Sequence, residues 1–508
     1  MTPAARRRSS RPHATPPRHT VATPSPRRGA PPHPGHHAQC ARGEHDALPA
    51  PERRSSPRAP SEARALAFRV LRRVSDAGAY ADLALRAELG RCTLPARDRA
   101  LATELVYGTL RWRGRLDALL ARVLARRLDA LEPRVLDLLR LGAYQLVFCD
   151  RVPDAAAVSE SVRLAHATGL GRAAGLVNAA LRRLAREQAT IALPALADDP
   201  LGHLVHVLSV PPWVATRWLA RFGSDEAAAL ATALNQPAPR TLRVNRQRGS
   251  REALLAELRE RHVDALPARF ATDAIRLVGP ADPARDPAFL DGRMTMQDEA
   301  SQLVVELLDP QPGERVLDTC AAPGGKATAC AERVGAEGLV VAVDRHERRL
   351  GLITRDAERL GLGNLRCVVA DATRRLPDEL APGSFDRVLV DAPCSGLGAW
   401  RRNPDARWRV SADAPARLAT VQLAILRRAV PLLARGGALV YSTCTLTPEE
   451  NEAVIDALLT RTPELRRTPG RALPPLLAPL LDDDGTLRTW PHRHDSDGFF
   501  AVRLEHRT

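Results

Sequence analysis

Between residues 315 and 442 the sequence alternates short apolar runs with helical patterns, and this alternation constrains the fold more than any other feature. The apolar runs are partly β-branched and are predicted to be buried strands: Arg315 to Thr319, Leu339 to Val343, Leu365 to Val369, Arg387 to Val390 and Ala438 to Ser442. Helical patterns such as 348–360 and 416–433 separate them. Strands joined by helical crossovers form a parallel, doubly wound sheet. Residues 301–508 are therefore predicted to form an α/β domain.

Two cysteines lie just beyond two of these strands, 50 positions apart. Cys394 belongs to the segment DAPCSG (391–396) and Cys444 to YSTCT (441–445). Ligands of open α/β sheets bind beyond the carboxyl ends of the strands, so both thiols are expected to face one crevice. A strand-end cysteine is commonly a small buried apolar residue. The pairing of two such motifs instead favours covalent chemistry by a thiolate.

The turn after the first strand has the composition of a cofactor-binding loop. Residues 320–326 (CAAPGGK) are small and glycine-rich, which lets a ligand approach the backbone closely. Asp344 ends the second strand and can hold ribose hydroxyls, and Asp371 follows the third strand, where it can contact an adenine edge. Singly, each acid is more typical of an ordinary strand end or cap. Their order, without a phosphate-binding GxxxxGK[ST] loop, favours S-adenosylmethionine as the cofactor.

Lys326, at the end of that turn, is the only lysine in the chain; every other cationic residue apart from histidine is arginine. Such a bias usually reflects nucleotide composition. The single lysine is therefore either a chance survival or the sign that this position requires an ammonium group. A compact ammonium differs from a guanidinium in shape and hydration. The position of Lys326 in the cofactor turn favours a requirement.

The sequence before the α/β domain divides into two further regions. Residues 61–190 have apolar residues at three- and four-residue spacing, broken at Pro95, Pro133 and Pro153, which predicts an all-α bundle. Residues 191–300 begin as a proline-interrupted connection. They continue with an alternating run, 240–245, and a helix near 251–261, which predicts a small α+β unit.

The formal charge of +15 is unevenly distributed. Residues 1–60 hold eleven Arg, three acids and thirteen of the 42 prolines, so they carry +8 and leave +7 for the rest. This segment cannot bury a core and is predicted to be a disordered tail, either solvated or in electrostatic contact with RNA. No run of 18 apolar residues and no signal peptide is present, which predicts a cytoplasmic protein without membrane contact. The eight cysteines match neither a disulfide framework nor a zinc site, so no metal is predicted.

Several segments together resemble a known family. CAAPGGK, DAPCSG, and YSTC followed by EENE (449–452) are similar to the RNA cytosine-5 methyltransferases of the Sun/NOL1/NOP2 family. QD (297–298) and DGFF (497–500) also fit. Residues 61–190 resemble a NusB-like RNA-binding domain in LVYGTLR (105–111), YQL (144–146) and VNAALR (177–182). The resemblance implies a multidomain chain with an all-α NusB-like bundle, a small α+β (RRM-like) unit and a Rossmann-like methyltransferase domain.

The resemblance also implies roles for individual residues. Cys444 would be the nucleophile that adds to C6 of cytosine, and Cys394 would assist release of the covalent adduct. Asp391 would hydrogen-bond the N3 and N4 edge of the base, and Lys326 would lie between base and cofactor. The implied cofactor-binding residues are Cys320, Ala321, Ala322, Pro323, Gly324, Gly325, Lys326, Asp344, Arg349, Asp371 and Asp391.

The expected activity is S-adenosylmethionine-dependent methylation of a cytosine C5 in 16S rRNA, free or in an early small-subunit intermediate, by a monomer. The same chemistry on another RNA such as tRNA, and a non-catalytic NusB-like binding or antitermination factor, are the alternatives; a DNA cytosine methyltransferase fits less well. Arg401, Arg402 and Asn403 are either RNA contacts or a solvated loop. Thr447 to Glu450 predicts a helix start with Thr447 as N-cap, whose amino end would favour the Cys444 thiolate. The two glutamates, 449 and 450, are expected to be structural.

Overall fold

A computed structural model describes residues 59–279 and 282–507. Of the predicted tail, 1–60, only the last two residues lie within these ranges, and the remainder lies outside the described residues. Among the described residues, no helix is both long and apolar enough to cross a bilayer.

The amino-terminal region is a helical bundle, as predicted. Its helices are α1 (Glu62–Ala77), α2 (Ala81–Gly90), α3 (Ala96–Arg111), α4 (Arg113–Val123), α5 (Pro133–Phe148), α6 (Asp154–Ala167) and α7 (Ala174–Glu187). Their apolar stripes pack into one core that includes Leu66, Val70, Leu105, Leu139 and Leu181. The three prolines act as helix starts: Pro95 and Pro153 immediately precede α3 and α6, and Pro133 is the first residue of α5.

A connection with two helices follows the bundle. The short helix α8 (Pro200–Gly202) leads into a wider turn, and α9 (Pro212–Leu234) follows. Helix α9 is kinked at Gly223, whose φ of 77° interrupts the helical backbone.

The small α+β unit contains a four-stranded antiparallel sheet in the order β2-β3-β1-β4. Its elements are β1 (Arg240–Val244), α10 (Arg251–Glu260), β2 (Ala265–Pro267), β3 (Ala274–Leu277), α11 (Pro287–Leu290) and β4 (Met294–Met296). Leu242 and Ile275 of the sheet pack against Leu254 and Leu258 of α10. The sheet face is thereby closed by one helix.

The carboxyl-terminal region is an α/β domain around an eight-stranded sheet in the order β10-β12-β9-β8-β5-β6-β7, with β11 paired to β12. Strands β5 to β9 are parallel, and β12 is antiparallel to β9. The strands are β5 (Arg315–Asp318), β6 (Leu339–Asp344), β7 (Leu365–Val369), β8 (Phe385–Asp391), β9 (Leu433–Thr443), β10 (Leu465–Arg467), β11 (Leu487–Thr489) and β12 (Phe499–His506). The helices are α12 (Glu299–Leu308), α13 (Gly325–Val334), α14 (Glu347–Leu360), α15 (Ala406–Arg409), α16 (Ala414–Ala429), α17 (Glu452–Leu459) and α18 (Pro491–His494).

Two predicted helix limits are wrong. The helix expected over 416–433 is α16, which ends at Ala429 because Pro431 follows, and Leu433 already begins β9. The helix start expected at Thr447 is a single 3₁₀ turn, Pro448–Glu450, and the backbone leaves helical geometry at Asn451 before α17 begins. Thr447 caps no backbone amide; its hydroxyl donates to the Glu450 carboxylate over 2.7 Å. The chain after Cys444 therefore does not form the predicted continuous helix whose dipole could act on the Cys444 sulfur.

The bundle docks on the segment that connects β8 to α16. The buried guanidinium of Arg407 donates to the carbonyl of Arg111, at the end of α3, and to the side chain of Asn235. The indole nitrogen of Trp408 donates to the carbonyl of Leu110 over 2.6 Å. Burial lowers the pKa of Arg407 to about 9. This segment is thus fixed to the bundle by two partly buried hydrogen bonds and to the end of α9 by a buried one.

Candidate active site

A cavity of about 410 Å³ lies at the carboxyl ends of β5 to β9. Among the residues predicted to be functional, it is lined by Cys320, Ala322, Asp344, Arg349, Asp371, Asp391, Cys394 and Cys444. Parallel strands place their carboxyl ends at one edge of the sheet, so residues more than 100 positions apart converge there. The expected crevice between the two cysteine motifs and the cofactor turn is therefore present.

The two thiols lie next to each other, with their Sγ atoms 3.3 Å apart. Both side chains are partly buried. The hydrogen bond with Cys444 and burial together raise the pKa of the Cys394 thiol well above its ordinary value. Cys394 accordingly holds its proton, and the Cys444 sulfur can act as its acceptor.

Glu450 holds the two cysteine loops together. Its fully buried carboxylate accepts hydrogen bonds from the Ser395 amide (2.8 Å) and the Ser395 hydroxyl, next to Cys394. It also accepts from the Gln422 amide group (3.1 Å) and, as above, from Thr447, three residues beyond Cys444. The sequence predicts a structural glutamate here, but as part of a helix cap. The three-residue spacing from Thr447 to Glu450 correctly indicated that the two residues are in contact. The contact is a hydrogen bond between their side chains, however, and not a side-chain cap on a backbone amide.

Lys326 and Asp391 form a buried ion pair beside the cysteines. Lys326 Nζ donates to Asp391 Oδ2 over 2.7 Å, and Ser442 Oγ donates to Asp391 Oδ1 over 2.7 Å. The ammonium also lies 5.0 Å from the centroid of the Phe499 ring, a cation–π contact. Burial on its own disfavours the charged ammonium, but the attraction of Asp391 outweighs it and raises the pKa of Lys326. Lys326 is thus kept as the ammonium in the site.

The cofactor turn is shaped by its backbone. Ala321 donates its amide to the Val343 carbonyl over 2.9 Å, which joins the turn to β6. Gly324, with φ +114°, precedes α13, and a Cβ at this position would lie 3.0 Å from Ile353. Within the turn, Cys320 and Ala322 line the cavity. The other residues of the turn are not part of the lining: Ala321, Pro323, Gly324, Gly325 and Lys326.

Two further carboxylates, those of Asp344 and Asp371, line the cavity. Asp344 accepts from the His346 amide and lies 3.7 Å from the Arg349 guanidinium, whose other nitrogen donates to the Ala322 carbonyl. Asp371 accepts from the amide and hydroxyl of Thr373, and these bonds lower the pKa of Asp371. A carboxylate has about four acceptor sites, so both can take further hydrogen bonds from hydroxyl or amine hydrogens. With the alanines around them, they fit an adenosyl group.

Asp318, which ends β5, was missed in the sequence analysis. It is fully buried; Oδ1 accepts from the Cys320 amide over 3.2 Å, and Oδ2 has no hydrogen-bond partner. Burial and the nearby charge of Asp391 raise the pKa of Asp318 to about 7. The available signal was its position at the end of a strand, directly before the glycine-rich turn. A position at a strand end is also what made Asp344 a candidate.

The sequence left Arg401 and Arg402 as either RNA contacts or a solvated loop, and the structure pairs both side chains with carboxylates. Arg401 is buried and paired with Asp495, and Arg402 is paired with Asp298 and Asp497. Guanidinium groups held in such pairs fix the segment after DAPCSG to the central unit and the chain end. Asn403 is exposed.

Comparison with known proteins places this site in a family. The family model for 16S rRNA methyltransferase RsmB/F matches residues 305–505, that of the NusB family 61–186, and the RsmF/B-like ferredoxin-like domain 210–283. The chain is 36% identical over 445 residues to the probable ribosomal RNA small subunit methyltransferase B of Bacillus subtilis, covering 87% of this chain and 98% of that protein. The corresponding protein of Synechocystis sp. is 37% identical, over 87% and 99%. The chain belongs to the ribosomal RNA small subunit methyltransferase B family.

Membership of this family agrees with the fold. The crystal structure of PH0851 superposes with a TM-score of 0.73 at 26% identity, covering 88% of this chain and 99% of the other. The predicted fold class is confirmed: a NusB-like bundle, a ferredoxin-like unit and a methyltransferase domain. S-adenosylmethionine is the cofactor of this methyltransferase, as predicted.

Proposed function

We propose that this methyltransferase modifies C5 of a cytosine in 16S rRNA through a covalent adduct with Cys444. One observation carries the proposal: two thiols with a 3.3 Å Sγ–Sγ distance line the same cavity as the carboxylates that fit the cofactor. A methyltransferase acting on an amine or a hydroxyl needs no thiol pair. A thiol pair suits a carbon that must first be activated.

The chemistry requires a nucleophile because C5 of cytosine is weakly reactive. Addition of the Cys444 thiolate to C6 forms an S–C6 bond and shifts the ring electrons toward C5 and N3. The cofactor, when bound, supplies an electrophilic methyl group. Once C5 carries that methyl, the C5 proton passes to solvent water, and its bonding electrons re-form the C5–C6 double bond as the S–C6 bond breaks. The aromatic ring and the Cys444 thiolate are thereby restored. The enzyme is freed of its covalent bond to the RNA.

The charges around the thiols support this division of labour. The raised pKa of Cys394 keeps a proton on that sulfur, so Cys444 is the member of the pair that is available to attack. The electrostatic interaction with Cys444 is one of the causes that raise the pKa of Lys326, after the contacts with Asp391. Asp391, held by Lys326 and Ser442, is positioned to accept N–H groups of the protonated base. Cys394 is then left to assist release.

The organisation of the chain follows from the same proposal. Residues 61–190 and 191–300 would position RNA over the catalytic domain, 301–508, in a monomer. The predicted cofactor-binding roles of the turn, Asp344, Arg349 and Asp371 belong to this proposal.

The test is incubation of the purified chain with radiolabelled S-adenosylmethionine and either protein-free 16S rRNA or bulk tRNA, followed by mass-spectrometric mapping of the modified nucleoside. We expect 5-methylcytidine at one position of 16S rRNA and none in tRNA. Labelling confined to tRNA would favour the alternative substrate. Absence of label in either RNA, or label on an atom other than C5, would contradict the proposal.

A further inference from the structure

The bundle contributes one aromatic residue to the catalytic cavity. Tyr80, immediately before α2, lines the cavity together with Cys394 and Cys444. Among the described residues that line this cavity, no other comes from the bundle. Its side chain is 60% exposed, so its ring adds little to the packing of the bundle core. Neither the sequence motifs nor the proposed chemistry assigns a role to Tyr80.

One face of the Tyr80 ring is covered by an arginine of the catalytic domain. The guanidinium carbon of Arg409 lies 3.8 Å from the ring centroid, within the range of a stacked cation–π contact. The stack combines a π surface with a positive charge at the edge of the cavity. These are the two features with which proteins bind unpaired nucleotides.

The stack is held from both sides by Asp405. Its buried carboxylate oxygen Oδ2 accepts from the Ala81 amide, the first residue of α2, over 3.4 Å. The same oxygen accepts from the Arg409 guanidinium over 3.4 Å. One carboxylate thus fixes the start of α2 and the arginine that stacks on the preceding tyrosine. The ring is placed in advance rather than left mobile on the surface.

The location of the stack favours RNA over the cofactor as its ligand. Arg409 and Asp405 belong to the segment that connects β8 to α16, and the end of β8 carries Asp391 and leads to Cys394. The residues that fit the adenosyl group follow β5, β6 and β7 instead. The stack is therefore attached to the chain segment that follows the Cys394 loop, whereas the residues that fit the adenosyl group are attached to other strands.

We propose that Tyr80, backed by Arg409, is a stacking platform for an unpaired nucleotide that flanks the target cytosine. The inference rests on the proposed function, because it takes RNA as the ligand. It gives the bundle a direct part in substrate positioning. Tyr80 is a positioning residue, not a catalytic one.

The test compares Tyr80→Ala and Tyr80→Phe with wild type and with Leu83→Ala. Leu83 lies in α2, three residues beyond Tyr80, is similarly exposed (56%) and does not line the cavity, so it is a matched control. Loss of one base stack weakens binding about 5- to 150-fold. We expect Tyr80→Ala to raise the KM for the RNA by that factor, with little change in the Kd for S-adenosylmethionine. Tyr80→Phe and Leu83→Ala should remain within about twofold of wild type.

A second arm identifies the nucleotide. Abasic sites are placed on either side of the mapped cytosine in a short RNA substrate. One of them should raise the wild-type KM as much as Tyr80→Ala does, and should have no further effect in that variant. Additive effects, an unchanged KM for Tyr80→Ala, or a weakened cofactor Kd with unchanged RNA KM would each overturn the platform.

Equilibrium binding separates this inference from the proposed function. The anisotropy of a fluorescent, unpaired, cytosine-containing RNA is titrated with the full chain and with Tyr80→Ala, without cofactor. Weaker binding by the variant supports the platform even where wild type methylates no RNA, a result that would contradict the proposed function alone. Equal binding, with wild-type methylation intact, would overturn the platform alone.

Discussion

Lys326 Nζ donates a 2.7 Å hydrogen bond to Asp391 Oδ2, so the single lysine of the chain neutralises a carboxylate within the candidate catalytic cavity. The pair joins the cofactor turn after β5 to the end of β8. It therefore connects the part of the site that fits the cofactor to the part that carries the cysteines.

Removal of the ammonium should be costly for both stability and activity. Lys326→Met leaves Asp391 as an uncompensated charge in a largely buried site, and breaking a buried pair costs about 3–5 kcal/mol. The double variant Lys326→Met, Asp391→Asn removes both charges and should recover much of that stability without recovering methylation. Chemical denaturation and initial rates measure the two effects. A stable but inactive single variant would show that the pair serves chemistry alone.

The two cysteines should have opposite phenotypes. Cys394→Ala is expected to accumulate a covalent protein–RNA adduct because addition proceeds while release is impaired. Cys444→Ala should form none. Denaturing electrophoresis with labelled RNA resolves the adduct, and Cys367→Ala, in β7 outside the cavity lining, is the control that should behave as wild type. Equal adduct formation by the two cavity variants would reverse or remove the assigned roles.

Much of this site could be predicted because it is built from strand ends. Periodicity located β5 to β9, and a parallel sheet necessarily brings the residues after those strands to one edge. The contacts that hold the loops in place were not predictable in the same way. Glu450 bonds Ser395 across 55 positions, and no local pattern encodes such a pairing.

The arginines illustrate the same limit. Arg401 and Arg402 follow a catalytic motif, and local sequence made them candidate RNA contacts, but their partners are carboxylates about 95 positions away or more. Tyr80 was likewise invisible in the sequence analysis, since its importance depends on the docking of the bundle on residues 405–409. Local pattern predicts elements, whereas partners depend on tertiary packing.

Asp318 should give the protein a characteristic pH dependence. Its pKa is raised from an ordinary 3.8 to about 7, so between these values the unfolded chain releases a proton that the folded chain keeps. Stability from this group is therefore fully present below pH 4 and lost as the pH rises toward 7. Relative to Asp318→Asn, the free energy of unfolding of wild type should fall by roughly 4 kcal/mol over that interval. Denaturant titrations at pH 4, 5.5 and 7 measure the difference; a constant difference would contradict the assignment.

Glu450 and its neighbour Glu449 offer a matched test of the loop connection. Glu450→Ala leaves the donors of Ser395, Gln422 and Thr447 without their buried acceptor, and each unsatisfied buried group costs about 1–3 kcal/mol. We expect a loss of several kcal/mol and loss of adduct formation, because the cysteine loops are no longer held together. Glu449→Ala removes only an ion pair between partly exposed side chains, with Arg217, and should change stability by less than about 1 kcal/mol. Similar losses in both variants would mean that Glu450 does not connect the loops.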